Sequence, residues 1–184
     1  MAFTFPKNLR SALVAERIGT TPKTIENWLQ RAQIALPSGP VPPGKWRDFT
    51  AADVCYLALV VQLTKMGVPV GIAGEMATFV ATSSHAAPNA GIANREDSTP
   101  SRENRRLLIW REGEQWFRRM DQEDTGTQPP APAFLVVLVD DVQRTAIKHI
   151  VAADAKSEAW DASFTALGAS LDELTDTILL QLKR

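Results

Sequence analysis

The tetrapeptide Gly19-Thr20-Thr21-Pro22 constrains the fold of this chain more than any other stretch of it. Ahead of it, Leu9, Leu13, Val14 and Ile18 recur at helical spacing, and Gly19 supplies the tight turn at which such a helix stops. Behind it, Thr21 is placed to cap a new helix, and Pro22 takes the first helical position, where its missing N–H costs nothing. Ile25 and Leu29 then face inward, four residues apart. The spacing predicts a helix, a tight turn and a second helix before residue 32.

The second helix has a polar outer face. Lys23, Thr24, Asn27, Gln30 and Arg31 project away from Ile25 and Leu29. In a helix-turn-helix, the second helix enters the major groove while the first crosses the backbone. Asn pairs with adenine, Lys and Arg pair with guanine or phosphate, and Thr20, Thr21 and the helix N-terminus can hold a phosphate oxygen. A solvated helix carries similar residues, so the flanking sequence has to decide. Trp28 fits a core position or a contact position, with the core favoured.

Charge bears on the choice. The net charge of −1 argues against indiscriminate coating of nucleic acid. Residues 1–50 hold seven Lys/Arg against three Asp/Glu, about +4, whereas residues 121–184 hold five against eleven, about −6. The first half suits phosphates and the second repels them.

After the Pro-rich stretch LPSGPVPPGKWRDF (36–49), Thr50 can cap a helix running to a stop at Gly67, and a looser fourth helix is predicted over 70–80. This order, with the string KWRDFTAADVCYLALVVQLTKMGVPV (45–70), resembles the MerR-family winged helix. Trp46, Arg47 and Phe49 stand at the family's Y-R-x-Y positions, Asp53 at the acidic start of its third helix, and Met66-Gly67-Val68 at its L-G-F. The resemblance covers residues 9 to 80. It implies a wing at 37–47 whose Lys45, Trp46 and Arg47 meet DNA, and RNA polymerase as a further partner. Lys45 replaces the usual glycine, Asn27-Trp28 replaces the tyrosine pair, and no long helix with a ligand-sensing cysteine follows.

Two polar, Pro- and Ser-rich stretches, 81–104 and 121–133, read as linkers. Between them, LLIWREGEQWFRRM (107–120) reads as a β-hairpin turning at Glu112-Gly113, with Arg111 opposite Glu114. FLVVLV (134–139) reads as a buried strand beside it. Val142, Ala146, Ile147, Ile150 and Val151 suit a helix, as do Trp160, Phe164 and Leu167. In the last predicted helix Ser170 and Glu173 form a capping box, and Leu171, Leu174, Ile178 and Leu182 make one apolar stripe. A helix-turn-helix monomer covers one half-site, so a homodimer is expected, with that stripe or the sheet as its interface. The stripe equally suits covering the sheet of its own chain.

Other chemistries fit less well. GPVPPGK (39–45) matches part of the phosphate-binding loop G-x-x-x-x-G-K, but Pro40, Pro42 and Pro43 lack the cradling N–H groups and Trp46 stands where Ser or Thr must hold magnesium. Asp140 and Asp141 read as helix N-caps in preference to metal ligands. His85 and His149 have no triad partners in view, and Cys55 sits in the apolar run VCYLALVV as a core residue. Arg105, Arg106, Arg118 and Arg119 flank the hairpin, either extending a phosphate-binding surface or discouraging strand aggregation. No enzyme, metal or cofactor is expected. No apolar run approaches the roughly 20 residues of a membrane span and no secretory signal opens the chain, so a cytoplasmic location is expected.

The fold expected is α+β: a MerR-like winged helix-turn-helix over 1–80, a linker over 81–104, and a dimerisation or effector domain with a short antiparallel sheet and helices over 105–184. The function expected is a dimeric bacterial or phage transcription regulator that binds double-stranded DNA. The alternatives are an architectural phage factor of excisionase or small-terminase type, and a protein-interaction adaptor with a degenerate helix-turn-helix.

Overall fold

Helix α1 (Ser11–Ile18) ends at Gly19, whose φ of 75° is left-handed. The Thr20 N–H reaches back to the Ala15 carbonyl and the Gly19 N–H to that of Glu16, so the orphaned end of the helix is closed by the backbone itself. Two residues later Thr21 caps α2 (Pro22–Gln30): its hydroxyl accepts from the Thr24 N–H at 3.1 Å. The computed structural model describes residues 9–42, 45–86, 105–121 and 133–154. The expected terminal stripe of Leu171, Leu174, Ile178 and Leu182 lies outside them.

Helix α2 closes in the same manner as α1, through bonds from Gln33 to the Trp28 carbonyl and from Ala32 to that of Leu29, with Ala32 at φ 52°. An irregular segment follows to Thr50. Among its described residues no strand forms, so the described part of the expected wing at 37–47 is an irregular loop. Four prolines between 37 and 43 remove the N–H groups that a ladder would need.

Helix α3 (Ala51–Lys65) begins with a capping box between Thr50 and Asp53. It is apolar on nearly every side, and Val54, Leu57, Leu59, Val60 and Leu63 are all buried. Such a helix must be surrounded, and it packs against α1, α4 (Val70–Ala86) and α5 (Val139–Asp154). Helix α4 runs past residue 80 into the stretch read as a linker. The Thr82 hydroxyl bonds back to the Thr78 and Phe79 carbonyls, so this polar residue is satisfied inside the helix.

Three antiparallel strands form one sheet in the order β2-β1-β3: β1 (Arg106–Glu112), β2 (Gln115–Asp121) and β3 (Leu135–Leu138). The hairpin register pairs Glu112 with Gln115 and Arg111 with Trp116. The turn is therefore Gly113-Glu114, with Gly113 supplying φ 61° at its first position. That corrects the expected Arg111–Glu114 pair: Glu114 is in the turn, and the Arg111 guanidinium lies 5.9 Å from the Trp116 ring centre.

Strand β3 is at the edge, and only its inner face is covered. Val137 is buried, but Val136 and Leu138 are 41% and 38% exposed, so the uninterrupted apolar run is not a fully buried strand.

Leu107, Ile109 and Val137 from the sheet and Ala146, Ile147 and Ile150 from α5 join the same apolar core as α1 to α4. The sequence reading assigns 1–80 and 105–184 to separate units; their described parts share this core. The fold is α+β, with five helices and a three-stranded antiparallel sheet among the described residues.

Candidate functional site

On α2, Ile25 is buried and Leu29 and Trp28 pack partly buried against the core. Trp28 is thus a packing residue, as favoured from sequence. At 100° per residue the opposite side of the helix carries Lys23, Asn27 and Gln30, all exposed, with exposed Arg31 beside them. Thr20 and Thr24 are half-buried and Thr21 is exposed at the helix entry. The Thr21 and Thr24 hydroxyls are 2.8 Å apart, so both are partly used in starting the helix. Glu26 is also exposed, on the flank of the stripe, and lowers its positive charge.

The loop that follows is shaped by Asp53 and Arg47. The buried Asp53 carboxylate accepts from the Thr50 N–H at 2.9 Å, from the Thr50 hydroxyl at 2.9 Å and from the Ser38 N–H at 3.0 Å. One side chain thereby starts α3 and anchors the loop. Arg47 Nη1 donates to the Gly39 carbonyl at 2.9 Å and to the Ser38 hydroxyl at 3.4 Å, drawing the two limbs of the loop together. The Phe49 side chain is buried, and its N–H bonds to the Leu9 carbonyl at 3.1 Å. Arg47, expected to meet DNA, uses its Nη1 in closing the loop. The result is a braced stalk that carries exposed Lys45 and Trp46, the latter 95% exposed, with exposed Asp48 beside them.

Three N–H groups of the loop are already taken up within it or by α3: that of Gly39 bonds to Leu36, that of Ser38 to Asp53 and that of Lys45 to Pro42. Among the described residues no group of three or more His, Cys, Asp or Glu side chains is placed to hold a metal.

Arg105 and Arg118, two of the four arginines at the hairpin, are engaged within the chain. Arg105 clasps Asp140: the carboxylate accepts from the Arg105 N–H at 2.8 Å, from Nε at 3.0 Å and from Nη2 at 2.6 Å. Nη2 also donates to Gln143 Oε1 at 3.0 Å. Asp140 is therefore not the N-cap of α5, which begins one residue earlier at Val139; it lies in the first turn and binds the approach to β1. The Arg118 guanidinium sits over the Phe79 ring at 4.9 Å, with Glu75 4.0 Å from its Nη1.

Cys55 is buried, and burial pushes its thiol up to about 12. Tyr56 donates to the Gly74 carbonyl at 3.1 Å, and burial raises its phenol from the ordinary range.

The two anchors of the loop, Asp53 to Ser38 and Arg47 to Gly39, were not legible in the sequence: each joins residues whose separation says nothing of proximity. Among the described residues no helix is long and apolar enough to cross a membrane. No protein-family model and no curated protein matches the chain.

Proposed function

We propose that this protein is a sequence-specific DNA-binding regulator in which α1 and α2 act as a MerR-like helix-turn-helix, α2 enters the major groove, and the loop over 37–47 lies along the backbone. The observation that carries the reading is the outer face of α2. A helix with a fixed, capped start presents Lys23, Asn27 and Gln30 in one exposed stripe, and an Asn flanked by cations suits base edges between phosphates. Lys45, held out by the Arg47 brace, suits a phosphate. A homodimer would bring two such helices to the halves of a palindrome.

The test is selection of bound duplexes from a randomised pool, followed by titration of the winning site at several salt concentrations. Lys23→Ala should weaken binding to all sequences alike and lower the salt slope by about 1. Asn27→Ala should cost ~1–3 kcal/mol on the selected site and relax the preference at one base pair. Binding that is unaltered in the Lys23, Asn27 and Arg31 triple alanine variant removes α2 from the interface.

A protein-interaction adaptor is the competing reading, and one observation favours it. An almost fully exposed Trp on a braced loop is the kind of anchor that dominates protein interfaces. Absence of any salt-dependent duplex binding favours it.

A further inference from the structure

The last turn of α1, the second half of α3 and the first two-thirds of α5 line an open cleft of about 670 Å³, within the size range of small-molecule sites. Its floor is small and apolar, made by Ala58, Val142 and Ala146. Its rim carries three basic side chains from three helices: Arg17, Lys65 and His149.

These basic groups are lightly committed. Lys65 is exposed and makes no ion pair among the described residues. Its Nζ stands so close to the turn after α1 that a Cβ built on Gly19 would lie 2.9 Å from it. Arg17 Nη2 is 3.7 Å from Glu16 Oε1, too long for a hydrogen bond, and among the described residues no other acceptor meets the ends of this guanidinium. A guanidinium whose terminal nitrogens have no close acceptor gains from an arriving oxyanion. His149 Nδ1 lies 3.2 Å from the Arg17 carbonyl, which only accepts, so the proton of that bond is on Nδ1 and Nε2 is left for a ligand. Two acids also line the cleft, Glu16 beside Arg17 and Asp141 at the start of α5.

We infer that this cleft binds a small organic anion, a carboxylate or a phosphate ester. Its acid group lies on Lys65 and Arg17, and a short aliphatic body lies on Ala58, Val142 and Ala146. Asp141 disfavours a second acid and favours an amine or hydroxyl at the far end of the ligand. Gly19 lines the same cleft and ends α1 immediately before α2. On the DNA-binding reading, on which this one consequence rests, the anion is therefore an effector of duplex binding.

The experiment is a titration of the isotope-labelled full chain with hexanoate, 6-aminohexanoate, hexylamine and inorganic phosphate, followed through the amide resonances of Gly19, Gln62 and Thr145. Saturable shifts are expected from an acid and not from hexylamine, with 6-aminohexanoate tighter than hexanoate if a carboxylate is the ligand. Shifts from phosphate but not from hexanoate assign the phosphate ester, and the reverse assigns the carboxylate. Lys65→Met, at an exposed position, should raise the half-saturating concentration about tenfold, as loss of a charged hydrogen bond does. No saturable shift from any acid up to about 20 mM overturns the inference, as does unchanged binding by both Lys65→Met and Arg17→Met, or hexylamine binding as well as hexanoate. If the acid titrates normally but no duplex is bound, the cleft stands and the DNA-binding reading fails.

Discussion

Among the described residues Ala32 is the only one other than glycine with a positive φ, at 52°. It occupies the position after α2 that Gly19 fills after α1 and Gly67 after α3, and all three helices end in the same pair of backbone bonds. For an L-residue with a Cβ that conformation costs about 1–2 kcal/mol, part of which a glycine returns through the greater freedom of its unfolded chain. Ala32→Gly should therefore stabilise the fold by ~0.5–1 kcal/mol, read as a higher urea midpoint with an unchanged m-value. Cys55 makes the opposite kind of statement, about pH. Burial is the main cause of its raised thiol pKa; Arg105 lowers it and Asp140 raises it further. The folded state favours the neutral thiol, so this contribution is complete below the ordinary value of 9.0 and is lost as pH rises from there to about 12. Stability of the wild type should fall by up to ~1.4 kcal/mol per pH unit more steeply than that of Cys55→Ala across this window, in paired urea titrations.

At the scale of elements, what the sequence disclosed was what is local. Thr21-Pro22, Thr50 with Asp53, Gly19 and Gly67 each mark a helix boundary within a few residues of the group they satisfy: α1 ends, α2 begins, and α3 both begins and ends there. The loop after α2 was opaque for the converse reason. Its shape depends on Asp53 reaching back fifteen positions to Ser38 and on Arg47 reaching Gly39, and no periodicity announces either bond. The exposed stripe on α2 was readable because Ile25 and Leu29 fix which face turns inward. The exposure of Trp46 was not, because it follows from the loop. Comparing Thr50→Ala with Asp53→Ala separates the two jobs of the capping box. The first removes a cap and should cost ~1 kcal/mol. The second also releases the Ser38 N–H, and should cost ~1–3 kcal/mol and speed hydrogen exchange at Ser38 and Gly39, where Thr50→Ala leaves it slow.

Across the whole molecule, the question is whether α1 to α4 can hold their shape without the sheet and α5. Helix α3 is apolar on nearly every side, and one of those sides is covered by α5, which also packs on α1. The clasp between Arg105 and Asp140 ties the start of β1 to the first turn of α5, and the Val139 N–H bonds to the Arg105 carbonyl at 2.9 Å beside it. Strand β1 and α5 are thereby fixed directly to each other, and not only through the helical layer. A largely buried pair of this kind is costly to break from one side, because the partner stays charged and loses its counterion; removal of one partner costs up to about 3–5 kcal/mol, while joint replacement by apolar groups costs far less. Asp140→Ala should therefore destabilise the fold by up to that amount, and Arg105→Met with Asp140→Leu should recover most of the loss. If the shared core makes the described parts one cooperative unit, Asp140→Ala will lower the unfolding midpoint of α2 and α3 together with that of the sheet, in a single transition seen by hydrogen exchange at all of them. Two transitions, with α1 to α3 retaining wild-type protection while the sheet and α5 open, would mean that the helices fold on their own and that the clasp serves only the second half.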